Sequence, residues 1–116
     1  AATAPVRLYY TGWSSSTGEA DWGLRPLFAG DKTPPSMYNI SYYKNPTVDA
    51  DIMKALGTTD RAEKTKLYTE VQEEIWKDAP WAFLVTEKLL YATSKKLTGM
   101  YVMPDANYFF EEIDLQ

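Results

Sequence analysis

The sequence contains no cysteine and no histidine, and these absences exclude much of the usual chemistry of protein sites. The chain can form no disulfide and no thiolate nucleophile, and it lacks the commonest metal ligand and general base. Histidine-based catalytic triads are excluded within its 116 residues for the same reason. The compartment stays open, because a cysteine-free chain suits a reducing cytosol and also suits many secreted bacterial proteins.

Long apolar runs and a surplus of positive charge are missing as well. The best apolar run, Ala79 to Val85, is far shorter than the roughly 20 residues of a membrane span. A net charge of -4 argues against nucleic acid as a partner, because phosphates attract basic surfaces. Neither a phosphate-binding loop nor a dinucleotide fingerprint is present, so we expect no cofactor and no metal. Ala1 to Pro5 show no signal-peptide pattern and fit a cloning or cleavage boundary.

Aromatic residues are the unusual feature of what is present. They make up 15% of the chain, with nine Tyr, four Trp and four Phe, in a sequence whose 45% hydrophobic and 24% charged residues are ordinary for one globular domain. Large rings with a polar atom suit a surface that grips a ligand, and they equally suit a core.

Two helices are the clearest predicted elements. The first begins at Asn45, an N-cap type of residue followed by proline, and ends at Gly57. The second begins at Asp60, which resembles a capping box together with Glu63, and ends near Asp78.

The other elements are shorter. A helix is predicted from Ala20 to Phe28, a turn from Lys95 to Gly99 and a short extended piece from Tyr101 to Met103, while the tail from Tyr108 to Leu115 shows no clear period. Three strands are predicted from β-favouring runs: Val6 to Tyr10, Trp81 to Val85 and Leu89 to Thr93. This order indicates a mixed α/β fold with too few strands for a closed sheet, as in a piece of something larger.

Catalysis by this chain is not expected. Three carboxylate pairs occur: Glu19/Asp21, Glu73/Glu74 and Glu111/Glu112. The second pair lies in a helix, where Glu73 is expected to pair with Lys77, and the third lies in the tail. Glu19 and Asp21 follow a predicted strand, but no sugar-binding pattern accompanies them. Ser14 to Ser16 have no histidine base and no Gly-x-Ser-x-Gly turn.

A candidate ligand site lies after the first predicted strand. Trp13 follows Gly12 at the strand end, where α/β folds present ligands, although a core position is an equal alternative. The hydroxyls of residues 14–17 supply directed polar groups. Arg25 suits a ligand carboxylate in a bidentate pair, or an internal pair with Glu19 or Asp21.

Several motifs together have a familiar order. They are Gly12-Trp13, the polar loop to Asp21, Asn39 with Tyr42-Tyr43, Asn45-Pro46-x-Val48-Asp49, Asp78-Ala79-Pro80 and Ser94-Lys95-x-Leu97-x-Gly99. This order resembles the solute-binding proteins of bacterial peptide ABC importers, from about Val6 to Leu115. The stretches Gly12 to Trp22 and Leu24 to Phe28, with Tyr101 to Asp105 near the end, are most similar to the glutathione-binding branch of that family.

The resemblance implies a fold and a function. Such proteins are two-lobed periplasmic binding proteins (type II, peptide/nickel-binding family), of which this chain would be a C-terminal fragment. Residues 1–86 would belong to the second lobe, and residues 87–116 would cross back toward the first. The parent would bind glutathione or a short peptide in the cleft between the lobes and deliver it to an inner-membrane ABC permease, without acting as an enzyme.

The resemblance also implies roles for residues of the loop. Trp13 would line the cleft, with Ser14, Ser15 and Ser16 forming hydrogen bonds to the ligand. Peptide-binding relatives carry an aspartate at the position of Ser16, which pairs with the ligand's α-amine. Its replacement favours a ligand such as glutathione, with Glu19 or Asp21 taking over the charge role.

Two other hypotheses stay open. The first is a stand-alone module that binds a protein partner through its aromatic surface, and the second is a hydrolase that uses Glu19 and Asp21. If the chain is a fragment, its unpaired sheet edges should favour self-association, and half a cleft should bind ligand weakly or not at all.

Overall fold

The computed structural model describes residues 8–103 and 105–116 of the chain. In this part the elements, in order, are α1 (Ala20–Phe28), α2 (Pro46–Gly57), α3 (Arg61–Asp78), β1 (Leu97–Thr98), β2 (Tyr101–Val102), β3 (Tyr108–Phe109) and β4 (Asp114–Leu115). Strand β1 pairs with β4 and β2 pairs with β3, both antiparallel. The molecule therefore has a helical part followed by a segment with two short ladders.

The three predicted helices are confirmed, and local chemistry fixes where two of them begin. Asn45 Oδ1 accepts hydrogen bonds from backbone N–H groups two and three residues on, at 2.9 and 3.4 Å. Asp60 Oδ1 does the same for α3, at 2.8 and 3.1 Å. The second half of the capping box differs from the prediction, because Glu63 accepts from the Thr58 hydroxyl at 3.1 Å.

The core lies between the three helices. Ile52 on α2 and Val71 on α3 are almost completely buried where those two helices pack together. The main buried cluster is Leu27, Phe28, Ala29, Val48, Ile52, Val71 and Ile75. Half-buried Leu24, Tyr43 and Trp81 pack against it, and this closes the helical part.

The loop at residues 29–45 is held by one buried amide. Asn39 Nδ2 donates to the carbonyl oxygens of Ala29 (3.0 Å) and Tyr43 (2.8 Å). Asn39 Oδ1 accepts from the Tyr43 backbone N–H (3.1 Å) and the Ser41 hydroxyl (3.0 Å). Because all four bonds are made inside the protein, this fully buried polar side chain fixes the path of the loop.

Two carboxylates fasten the same loop to the helices. Asp49 on α2 accepts a 2.7 Å hydrogen bond from the Gly30 backbone N–H, and a Cβ on Gly30 would lie 2.8 Å from the other Asp49 oxygen. Asp78 accepts from the Tyr43 hydroxyl (2.6 Å) and the Asn45 amide (2.8 Å), and these bonds lower its pKa. Burial, with the bond to Asp78, raises the pKa of Tyr43 to about 12.

The three predicted strands are wrong within the described residues. Val6 and Arg7 of the first lie outside those residues, and Leu8 to Tyr10 are exposed and irregular. Residues 81–85 and 89–93 form no strand either, and their apolar side chains are largely exposed. A β-strand needs a neighbour for its backbone hydrogen bonds, and the described chain brings none to these segments.

Smaller predictions also need correction. The predicted turn at 95–99 is a turn only at its start, because Leu97–Thr98 is strand β1. The tail that showed no period contains β3 and β4. Lys77 forms its ion pair with Glu74, one turn back on α3, and not with Glu73 as expected.

The overall shape is extended. The radius of gyration is 18.1 Å, whereas a compact domain of similar size has a value of about 13 Å. Most side chains of the segment after α3 are exposed, in contrast to those between the helices.

Candidate ligand-binding site

The indole of Trp13 is held in place by its own N–H group. Trp13 Nε1 donates a 2.8 Å hydrogen bond to the backbone carbonyl of Trp22 in the first turn of α1. The Trp13 side chain remains 36% exposed. The ring is therefore oriented by the protein while part of its surface faces solvent, which is the arrangement a ligand wall requires.

Tyr38 packs against this indole from the loop that Asn39 fixes. The ring centroids of Trp13 and Tyr38 are 5.0 Å apart with an interplanar angle of 52°, and Trp22 lies on Trp13 at 6.2 Å. The Tyr38 side chain is 54% exposed. Its position next to Trp13 depends on the loop path set by Asn39, so the two exposed rings form one aromatic surface.

The serines of the loop differ in how far their hydroxyls are already used. Ser15 Oγ donates to the Glu19 carbonyl at 2.9 Å and lies 3.4 Å from the Thr17 hydroxyl, so it closes the turn before α1. Ser16 is exposed and makes no side-chain hydrogen bond within the described residues. Ser14 forms its hydrogen bond outside the loop.

Ser14 connects the loop to the C-terminal segment. Its hydroxyl lies 3.3 Å from the backbone carbonyl of Asp105, which is 91 residues away in sequence. Asp105 belongs to the turn between β2 and β3, and its two carboxylate oxygens accept from the backbone N–H (3.1 Å) and side-chain amide (2.9 Å) of Asn107. The polar loop thus touches an element that follows all three helices.

Asp21 and Arg25 form a pair one turn apart on α1. Arg25 Nε lies 2.9 and 3.1 Å from the two carboxylate oxygens, and Nη2 lies 2.7 Å from Oδ2. Both side chains are half-buried, and the hydrogen bond to Asp21 raises the pKa of Arg25. Of the alternatives for Arg25, the structure contains the internal pair with Asp21.

Tyr68 of α3 completes this network. Its hydroxyl lies 3.5 Å from Asp21 Oδ1, and burial, followed by the neighbouring Asp21 charge, raises the pKa of Tyr68 to about 12. The network connects α1 to α3 and holds the Arg25 guanidinium by one edge. With both its oxygens against a guanidinium, the Asp21 carboxylate is poorly placed for the acid–base role of the hydrolase hypothesis.

The structure thus places the six predicted site residues in two neighbouring groups. Trp13 and the three serines lie in the loop before α1, while Asp21 and Arg25 lie on α1 itself. Sequence reasoning missed Tyr38, Trp22 and Asp105, because each reaches the loop through tertiary contacts. The 91-residue separation between Ser14 and Asp105 leaves no local signal.

Two features of the described residues bear on other functions. They contain no group of three or more carboxylates placed to hold a metal ion. No helix among them is long and apolar enough to cross a membrane. The rings of Trp13 and Tyr38 and the side chain of Ser16 are exposed to solvent.

Comparison with known proteins shows similarity over nearly the whole chain. The chain is 62% identical over 110 residues, 95% of its length, to "Glutathione-binding protein GsiB" of Pectobacterium atrosepticum. It is 54% identical over 96% of its length to the proteins of the same name from Escherichia coli K12 and Salmonella typhimurium. It spans about a fifth of these relatives, 21% and 22% of their lengths. No protein-family model matches the chain.

These matches confirm the resemblance inferred from the sequence. Nearly the whole chain is similar to one portion of proteins named for glutathione binding, and the share of their length that it covers is consistent with a fragment. Their printed name is that of a binding protein and not of an enzyme, in agreement with the expectation for this chain.

Proposed function

We propose that this chain is part of the solute-binding component of an ABC importer and that the complete protein binds glutathione or a short peptide. The observation that carries the proposal is the 62% identity over 95% of the chain to a glutathione-binding protein. The whole protein captures its ligand in the periplasm and delivers it to an inner-membrane permease. Residues 1–86 belong to the second lobe of a two-lobed, type II binding protein, and residues 87–116 return toward the first.

Trp13 and Tyr38 form the apolar wall of the ligand site in this proposal. The 2.8 Å bond from the Trp13 indole to the Trp22 carbonyl supports this role, because a ring fixed before binding loses little entropy when the ligand arrives. Ser14 and Ser16 supply hydrogen bonds at the edge of the wall, and Ser15 shapes the turn as well as contributing its oxygen.

Arg25 and Asp21 act as one unit beside that wall. Asp21 occupies Nε and Nη2 of the guanidinium, so Arg25 presents its remaining edge to a ligand carboxylate. Asp21 supports binding by holding this orientation. Glutathione has two carboxylates, and a planar guanidinium matches the geometry of either.

Calorimetry on a chimera tests the proposal. These 116 residues would replace the matching segment of the Pectobacterium atrosepticum relative, which restores a polypeptide of the relatives' length. We expect glutathione binding that Trp13→Ala weakens by about tenfold or more, since buried aromatic anchors contribute about 2 kcal/mol. Trp76→Ala is the matched control: Trp76 is 68% exposed on α3, and its loss should leave the affinity within about twofold.

Two outcomes of this titration decide the proposal. Absence of heat with glutathione and with short peptides would exclude the ligand class. Binding that Trp13→Ala leaves unchanged would exclude the site while keeping the ligand.

We also propose that the separate chain self-associates through residues 82–93. Their apolar side chains are exposed, and Glu87 and Lys88 lie at the centre of the segment. In an antiparallel pairing centred on this dipeptide, Glu87 of one copy would face Lys88 of the other, and apolar residues would pair on both sides. The unpaired backbone of an extended segment favours such strand addition.

Light scattering tests the self-association directly. We expect more than a monomer at high concentration, and a shift toward monomer in Lys88→Glu, where like charges would face each other. The control Lys54→Glu changes an exposed lysine on α2 and should not alter the mass. A wild-type chain that stays monomeric at high concentration would contradict the proposal.

A further inference from the structure

The proposed ligand site has a cation for a ligand carboxylate but no partner for the protonated amine of glutathione or a peptide. A bound ammonium group requires a carboxylate partner, because leaving it without one in a cleft costs several kcal/mol. Among the six proposed site residues, Asp21 is the only carboxylate, and its oxygens lie against the Arg25 guanidinium. The amine therefore needs a different anion.

We infer that Asp105, in the turn between β2 and β3, supplies this anion from the C-terminal segment. The inference rests on the proposed function and names one more residue of the same site. The Asp105 carbonyl lies 3.3 Å from Ser14 Oγ, and Ser14 adjoins Trp13 in sequence. Asp105 is half-buried and forms no ion pair within the described residues, so its charge is available.

The turn holds the Asp105 carboxylate in a defined orientation. Asn107 donates to one oxygen from its backbone and to the other from its side chain. The Met103 N–H donates to the Asn107 carbonyl (2.8 Å) and the Ala106 N–H donates to the Met103 carbonyl (3.0 Å), which closes the turn. Each carboxylate oxygen keeps a lone pair for a ligand, and a fixed carboxylate binds with a small entropy loss.

Glu19 is the competing carboxylate. It is exposed at the start of α1, and its side chain has no hydrogen bond or ion pair within the described residues. Its longer side chain would lose more rotamer freedom on binding than the tethered Asp105. The contact that Asp105 makes with the serine loop also favours Asp105.

The experiment compares two ligands in the chimera described above. One is glutathione, and the other is its analogue with hydrogen in place of the α-amine. We expect wild type to bind glutathione about 10- to 100-fold more tightly than the analogue, the range for a hydrogen bond to a charged group. In Asp105→Asn this preference should fall to about twofold or less, through weaker binding of glutathione alone. Asparagine keeps the oxygen that accepts from the Asn107 backbone, so the turn is retained.

Controls separate this inference from the proposed function. Glu19→Gln should leave the preference for the amine intact. Loss of the preference in Glu19→Gln, or its persistence in Asp105→Asn, would overturn the assignment to Asp105 while Trp13-dependent binding of glutathione keeps the proposed function. Absence of glutathione binding by the wild-type chimera would overturn both.

A second variant covers a folding defect in Asp105→Asn, detected by circular dichroism. Asn107→Ala keeps the charge of Asp105 but removes its side-chain amide tether. We expect it to lower the preference for the amine by a smaller factor, and an unchanged preference would count against Asp105.

Discussion

The helical part, residues 20–81, and the segment after it, residues 82–116, differ in how far their apolar side chains are buried. In the helical part apolar side chains are buried between helices and the buried amide of Asn39 makes four hydrogen bonds. In the later segment large apolar residues are exposed, and its strands are two residues long. The first region buries its apolar side chains within itself, whereas the second leaves most of them exposed within the described residues.

This difference follows from how each element bonds its backbone. A helix forms its hydrogen bonds within one segment, so α2 and α3 can form wherever their apolar faces meet. A strand bonds only to a neighbour, so β-favouring residues without one stay irregular. The contrast is what a portion of a larger mixed fold should show, and it supports the proposal that residues 87–116 return toward the first lobe.

The largest expected effect is the loss of a core side chain. Ile52→Ala leaves a cavity between α2 and α3 and should lower the free energy of unfolding by about 3 kcal/mol, measured by urea denaturation of the helical signal. The control Leu90→Ala removes a side chain that is 87% exposed and should change it by less than about 0.5 kcal/mol. Similar losses of unfolding free energy in both variants would contradict the difference in burial between the two regions.

Asn39→Ala should cause the next largest loss of unfolding free energy. It removes four hydrogen bonds and leaves the Ala29 and Tyr43 carbonyls without this partner, at an expected cost of about 2 kcal/mol. The same unfolding curves measure it, with Ser41→Ala as a control that removes one of the four bonds. The fluorescence of Trp13 should also change, because Tyr38 leaves its fixed position. A loss equal to that of Ser41→Ala would show that the loop path does not depend on Asn39.

The helical part should also lose stability in alkaline solution. The pKa values of Tyr43 and Tyr68 are raised to about 12, above the ordinary value of 10. Between these values the folded state holds protons that the unfolded state has released. The contribution of the two tyrosines to the free energy of unfolding is therefore complete below pH 10 and is lost as the pH rises toward 12. Thermal unfolding from pH 9 to 12 measures the slope.

Replacing tyrosine by phenylalanine shows which tyrosines cause the loss of stability at alkaline pH. Tyr68→Phe should be nearly neutral at pH 7, since the bond to Asp21 is long at 3.5 Å, and should flatten the alkaline decline. Tyr38→Phe, at an exposed phenol, should leave the decline unchanged. An unaltered decline in the Tyr43→Phe, Tyr68→Phe double variant would contradict the assignment.

The same contrast explains how much the sequence could predict. The helices were predictable because Asn45, Asp60 and Gly57 act locally, within a turn of the positions they mark. The strands predicted at residues 81–85 and 89–93 were wrong, because alternation and β-propensity do not say whether a partner is present. For the candidate site, the loop around Trp13 was proposed from its residues and from the resemblance, and as a ligand site it stays a prediction. Tyr38 and Asp105 were not predicted, because their contacts depend on the folded loop and on β2–β3.

The smallest effect on the helices is expected from Gly99→Ala, which acts only in the later segment. Gly99 has φ +74°, and an added Cβ would lie 1.8 Å from the Glu112 carbonyl oxygen, so the chain between β1 and β2 must shift. Amide exchange should quicken at Leu97 and Leu115, which pair in the β1–β4 ladder. The unfolding free energy of the helices should stay within about 0.5 kcal/mol of wild type.

Gly57→Ala is the matched control, because its Cβ meets nothing within 4 Å and the ladder should be unaffected. If Gly99→Ala destabilised the helices by more than about 1 kcal/mol, the two regions would fold as one cooperative unit, and the segment would draw its order from the helical core and not from an external partner.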